Sequence, residues 1–169
     1  MWEQARKVFE QTLGAILIVL MVSLVMIVAL GVFCRKIGFS LSWYDEVASI
    51  LLAWLSYYGA AFAALNRSHI GFPGILNRMP PRTRIPFFII GEAFVFSFFA
   101  LLAWLGVYVL HVLKGDALIS LPWIPTQLTQ SVIPIGAVLF IIGEALSLPD
   151  TWRRTRTSLG VEEPEEVAI

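Results

Sequence analysis

Four long apolar runs, each closed by polar residues, set the pattern of this chain. The first, from Leu13 to Cys34, carries no charge. The second, Trp43 to Leu65, opens on Asp45 and Glu46 and is followed by Arg67 and His69. The third extends from Ile85 to Leu113 and is interrupted by Glu92. The fourth, Ser131 to Leu148, contains Glu144 and stops ahead of Pro149. About 20 apolar residues are needed for a helix to cross a bilayer, so the pattern predicts an all-α integral membrane fold with four transmembrane helices over 13–34, 43–65, 85–113 and 131–148. Residues 1–150 then form one membrane domain. Residues 151–169 form a cytoplasmic tail whose GVEEPEEVAI ending reads as disordered.

Two runs need a further argument. The first follows Arg6 and Lys7 and so resembles a signal peptide, but signal cores span only about 7–15 residues and end at a small-residue cleavage site. Phe33-Cys34-Arg35-Lys36 is a poor one, so the run is read as a retained span. The third is longer than the hydrocarbon layer at about 1.5 Å per residue and must tilt or protrude. Pro86 is expected near its first turn, where a proline is tolerated.

Basic residues set the orientation. Four spans put both termini and the 66–84 loop on one side, with Arg6, Lys7, Arg67, Arg78, Arg82, Arg84, Arg153, Arg154 and Arg156. The other side has Arg35, Lys36 and Lys114. Positive charge stays preferentially in the cytoplasm, which predicts N-in and C-in. In the cytoplasmic loop Phe72, Ile75, Leu76 and Met79 have the spacing of one helical face. That segment is either a short interfacial helix or a turn-rich loop built on Gly71, Pro73 and Gly74. The outer loop, with Pro122, Trp123 and Pro125, is expected to be extended, its tryptophan at headgroup level.

Composition agrees and removes several classes of function. The chain is 58% hydrophobic and 14% charged, against about 25% charged in soluble domains. Its formal net charge is zero, so nucleic acid is not an expected partner. Cys34 has no cysteine companion, and the two histidines do not make a metal centre. A haem anchor with two axial histidines would need His69 and His111 on one iron, whereas the topology sets them almost a bilayer apart. No nucleophile–base arrangement or phosphate loop appears, and no enzymatic activity is expected.

The polar residues of the spans carry what chemistry there is. Ser42 could cap the second helix, and Asp45 and Glu46 in its first turn suit the positive end of the helix dipole; a partner-facing role competes with capping. Ser49, Ala53, Ser56, Ala60 and Ala64 form a small-residue face that allows close helix approach, within the bundle or against another subunit. Arg67 anchors the cytoplasmic face, and His69 beside it is not explained by anchoring. Glu92 and Glu144 occur in one repeated pentapeptide, Ile-Ile-Gly-Glu-Ala, at similar depth. Ionisable groups in a bilayer are costly and point to function by default. An acidic cluster, a proton or cation site, contact with a basic partner helix, and simple pairing with Arg84 and Arg153 all remain open.

Taken together, Trp43-x-x-Glu46, the small-residue helix, Asn66-Arg67-Ser68-His69-Ile70, Met79-Pro80, Leu118-Ile119-Ser120-Leu121-Pro122-Trp123 and Ile133-Pro134-Ile135-Gly136 resemble the small membrane (Q-type) subunit of tripartite ATP-independent periplasmic (TRAP) transporters. The likeness covers roughly residues 5–150. It departs at Gly71-Phe72-Pro73, where many relatives follow the histidine with a hydrophobe and then an acid. The resemblance implies a sodium-coupled importer of an organic acid in a bacterial inner membrane. In it a periplasmic solute-binding protein delivers the solute and a large membrane subunit binds both solute and sodium. The small subunit would act as a scaffold-like partner without a cofactor of its own, and Trp43, Asp45, Glu46, Arg67, His69, Glu92 and Glu144 would serve folding or partner contacts. The four-span subunit of the tricarboxylate-type system and the membrane anchor of an electron-transfer complex are the alternatives.

Overall fold

A computed structural model describes residues 2–39, 41–66 and 81–157. Five helices account for nearly all of them: α1 (Trp2–Lys36), α2 (Tyr44–Leu65), α3 (Pro81–Val112), the short α4 (Thr126–Gln130) and α5 (Val132–Thr157). Four segments, Arg6–Lys36, Tyr44–Leu65, Pro86–Val112 and Thr126–Pro149, are long and apolar enough to cross a membrane, as the apolar runs predict.

The helix ends depart from expectation at two prolines. α3 begins at Pro81, not near Ile85, so Pro86 lies inside the helix. Pro81 occupies the first turn, where the missing N–H has no helical partner to lose. α5 does not stop at Pro149 but continues to Thr157. A proline there removes its own bond to the carbonyl four residues back and crowds that carbonyl, yet the turns on either side remain helical. The interfacial segment around Phe72–Met79, Arg67, His69 and the 158–169 tail lie outside the described residues.

Spatial order differs from chain order. α2 packs against α1 on one side and α5 on the other, and α3 packs against α5, giving α1–α2–α5–α3. The register follows from close approaches. Gly14 lies against Phe62 and Gly59 against Leu17, so α1 and α2 are antiparallel. Gly136 meets Tyr57, and Gly143 meets Ala61 and Leu65, so α2 and α5 run parallel. Gly106 meets Ile133 and Pro134, while Phe99 stacks on Phe140 with ring centroids 3.5 Å apart and planes within 8°. α3 and α5 are therefore antiparallel.

Glycine at position 143 is dictated by space. A Cβ there would stand 2.8 Å from the carbonyl oxygen of Ala61, closer than packed atoms allow. Apolar surface gives little drive for helices to associate in lipid, so backbone proximity and packing must supply it. The core gathers Leu13, Tyr58, Ala61, Ala64, Val132 and Phe140, with Phe9, Val95 and Phe99 packed on it. α5 is the most enclosed span and α1 and α3 the least. Outward-facing apolar residues such as Val19, Met26, Phe94, Phe98 and Trp104 stay exposed, as suits surfaces turned to lipid or to another chain.

Candidate functional site

The α2 N-terminus and the 113–126 connection form the most organised polar site. Trp43 holds a helical conformation as the N-cap of α2 and makes no side-chain capping bond. Ser42, expected as the cap, does not serve as one. Its carbonyl oxygen instead accepts a hydrogen bond from Ser120 Oγ at 3.2 Å, which fixes the residue in a different role. Asp45 is exposed, and its carbonyl accepts from Ser49 Oγ at 2.8 Å.

Glu46 turns towards the connection. Its Oε2 accepts the Ser120 backbone N–H at 2.9 Å, and its Oε1 accepts that of Ile119 at 3.3 Å. Hydrogen bonds with an ionised acceptor are roughly twice as strong as neutral ones, so one side chain clasps two successive amides about 74 residues further along the chain.

The connection can be clasped because it has its own fold. The expected extended segment is extended only at the bridge between Ala117 and Pro125. The Leu118 N–H donates to Ile124 O at 3.1 Å and Thr126 N–H to Asp116 O at 3.0 Å. Between them, Ile124 N–H bonds back to Leu121 O at 2.9 Å, closing a tight turn. Leu118 is buried beneath this hairpin, while Ile119 and Trp123 are exposed. Gln127 Nε2 donates to Leu110 O at 2.7 Å and ties the next turn to the end of α3. Trp54 Nε1 donates to Thr129 O at 3.1 Å, so α2 grips α4 as well.

At the opposite end of α2, Arg6 Nη2 reaches the Leu65 carbonyl at 3.5 Å. A cation beside the last carbonyls of a helix is favoured by the helix dipole. α2 is thus tied at both ends.

The small-residue face divides. Ala64 is fully buried and Ala60 half-buried, but Ser49 and Ser56 are exposed and bonded to their own helix. Ser49 and Ala53 border a cavity of about 270 Å³ shared with Tyr57, Thr129 and Val132. A larger groove of about 580 Å³ runs along α3 from Ala100 to His111 and is almost wholly apolar. His111, at its end, is exposed with Nδ1 3.0 Å from Val107 O.

The repeated pentapeptide is not repeated in space. Glu144 is buried beside the Gly143 contact, and Ser147 Oγ donates to its carbonyl at 2.9 Å. Glu92 is half-buried with Oε2 enclosed, but Gly91 faces open space. The side chains of Arg84 and Arg153 are not among the described ones. Among the described residues, no group of three or more His, Cys, Asp and Glu could hold a metal ion.

Sequence reasoning identified Glu46 but missed its acceptor role and missed Ser120, Trp54, Gln127 and Thr129. The available signal was a polar residue, Ser120, set inside the apolar Leu118–Trp123 stretch. No local pattern ties it to Glu46.

Four membrane-crossing helices, packed side by side and clasped at their ends, define a multi-pass membrane protein. The sequence model of the family described as "Tripartite ATP-independent periplasmic transporters, DctQ component" matches residues 24–154, and the chain belongs to that family. The family is a transporter component, not an enzyme. The chain is also 29% identical over 103 residues to the C4-dicarboxylate TRAP transporter small permease protein DctQ of Rhodobacter capsulatus. That match covers 60% of this chain and 45% of the relative, so the chain spans less than half of the protein it matches. Neither the tricarboxylate-type subunit nor the electron-transfer anchor is favoured by these likenesses.

Proposed function

We propose that this chain is the small permease subunit of a sodium-coupled TRAP transporter and acts as the scaffold-like partner of a large transport subunit. The name of the Rhodobacter relative supports a C4-dicarboxylate or similar organic acid as solute. In this reading a periplasmic binding protein delivers the solute, and the large subunit binds solute and sodium. The complex lies in a bacterial inner membrane. The nine-to-three excess of Lys and Arg on the terminal side supports cytoplasmic termini.

One observation carries the scaffold reading. Two segments of the family-like pattern, Trp43-x-x-Glu46 and Leu118–Trp123, clasp each other through Glu46 and Ser120. Glu46 and Ser120 are thus engaged in holding α2 against the 113–126 connection. The larger groove, by contrast, has an apolar lining without the few convergent polar groups that a carboxylate site requires.

Co-expression with a large TRAP membrane subunit tests the proposal. The two chains should purify together stoichiometrically in mild detergent. In proteoliposomes supplied with binding protein, Glu46→Gln should lower complex yield or maximal uptake rate and leave apparent solute affinity unchanged. A selective change in solute preference or sodium dependence would place Glu46 in the transport path and overturn the scaffold role.

A further inference from the structure

The apolar groove along α3 has the depth of one membrane leaflet. The membrane-crossing part of α3, Pro86–Val112, is 27 residues long. Ala100 stands beside its midpoint, at the level of the stacked Phe99 and Phe140 rings, and His111 is near its end. At about 1.5 Å per residue the stretch from Ala100 to His111 is about 16 Å long, and half of the hydrocarbon layer is about 15 Å. The groove therefore runs from the bilayer centre to headgroup level on the side of the 113–126 connection.

Its lining changes with depth. Ala100 and Ala103, short side chains on α3, and Ile141 from α5 line the inner end. Trp104 and Tyr108 flank the outer half and are exposed, as suits amphipathic rings near an interface. Polar groups come at the outer end. His111 Nδ1 is 3.0 Å from Val107 O; a carbonyl only accepts, so Nδ1 carries the proton and Nε2 is left for a partner outside the helix. Lys114, three residues further on, is exposed. Cross-section decides what fits. About 580 Å³ spread over about 16 Å gives roughly 35 Å², whereas a helix about 10 Å across has a section of roughly 80 Å². An extended hydrocarbon chain fits the groove, and a helix does not.

We propose that this groove is a phospholipid site. One acyl chain lies along α3 from His111 to Ala100, and the headgroup phosphate sits at the outer end beside Lys114, with His111 Nε2 on the same headgroup. Burial of apolar surface does not hold the chain, because the surrounding tails solvate it equally well. Retention comes from close packing between the rings of α3 and Ile141 of α5, and from the attraction of a lysine at membrane level for a phosphate. The site stands apart from the Glu46 clasp and needs no partner chain.

Native mass spectrometry of the full-length protein tests the site. Protein stripped of lipid by detergent exchange is mixed with dipalmitoyl phosphatidylglycerol, with its dihexanoyl analogue, or with glycerol phosphate. One long-chain molecule should stay bound at collision energies that remove the rest, and neither of the other probes should. Ala100→Phe and Ala103→Leu, which fill the groove, should each lower that occupancy at least about tenfold, and Lys114→Gln should lower it several-fold. Val19→Phe, on an exposed face of α1, should leave it unchanged. Ala100 is itself exposed, so Ala100→Phe keeps the test open if Ala103→Leu does not fold. Undiminished retention in Ala100→Phe or in Lys114→Gln overturns the proposal, as does equal retention of glycerol phosphate. So does cross-linking of Ala103→Cys, in a background lacking Cys34, to a co-expressed large subunit, which would make the groove a protein contact.

Discussion

Replacing each glycine of the repeated Ile-Ile-Gly-Glu-Ala segment by alanine isolates the helix-packing contribution. Alanine at position 91 or 143 brings the same gain in helix propensity, about 0.8–1 kcal/mol, because glycine in a helix interior is penalised by that amount. At Gly91 a Cβ would meet nothing within 4 Å, so Gly91→Ala should be neutral or stabilising. At Gly143 the same methyl would be 2.8 Å from Ala61 O and 3.4 Å from Leu65 N. Both are backbone atoms of α2 and cannot rotate away, so α2 and α5 must separate. Overpacking of this kind costs typically about 1–3 kcal/mol. The propensity gain cancels in the comparison, and Gly143→Ala should therefore be about 1–3 kcal/mol less stable than Gly91→Ala. SDS titration of the two variants in one detergent, followed by circular dichroism, measures the difference directly. Equal stabilities would mean that α2 and α5 do not meet through Gly143, and the helix order would have to be redrawn.

Orientation can be read by labelling in a background lacking Cys34. Cysteines at Phe39 and Ile119, both exposed, should react in intact cells with an impermeant maleimide, and one at Gln4 should not; the reverse pattern would invert the topology. The clasp can be read by hydrogen exchange. Glu46→Ala should speed exchange of the Ile119 and Ser120 amides at least about tenfold while the Thr126 amide, held by Asp116 O, keeps its rate. Unchanged protection at Ile119 and Ser120 would show that the carboxylate does not hold the loop.

The spans were legible because the bilayer imposes a length on apolar runs, and that constraint is local in sequence. Their ends were less so. Pro86 and Pro149 look like boundaries in sequence, yet the helices continue past them, because a proline removes one backbone bond while the turns on either side still satisfy theirs. Ser42 looked like a cap for the same local reason. Which groups it meets is decided by Ser120, 78 residues away. The small-residue face packs within the bundle only in part: Ala64 is buried, but the backbone contact with Gly143 is made by Ala61, outside the stripe. The repeated pentapeptide offered two equivalent sites, and packing made them unlike. Helix order was not legible at all, since nothing in four apolar runs states that the fourth lies between the second and the third.

How α2 is held predicts which contact matters most to it. Lipid tails solvate apolar faces as well as neighbouring helices do, so register must come from close packing and from polar contacts. α2 has polar contacts at Glu46, Trp54 and Leu65 and close packing at Tyr57, Ala61 and Leu65. Trp54→Phe removes the bond from Nε1 to Thr129 O but keeps an aromatic ring for the stack on Tyr58, whose centroid lies 5.9 Å away. Interhelical hydrogen bonds in membranes average about 0.6 kcal/mol, because the separated helices also find partners. Trp54→Phe should therefore cost about 0.5–1 kcal/mol, less than the deficit of Gly143→Ala relative to Gly91→Ala. The same SDS titration ranks the three variants. If Trp54→Phe proved the most damaging, polar clasps would set the position of α2, and the glycine contact would follow from them.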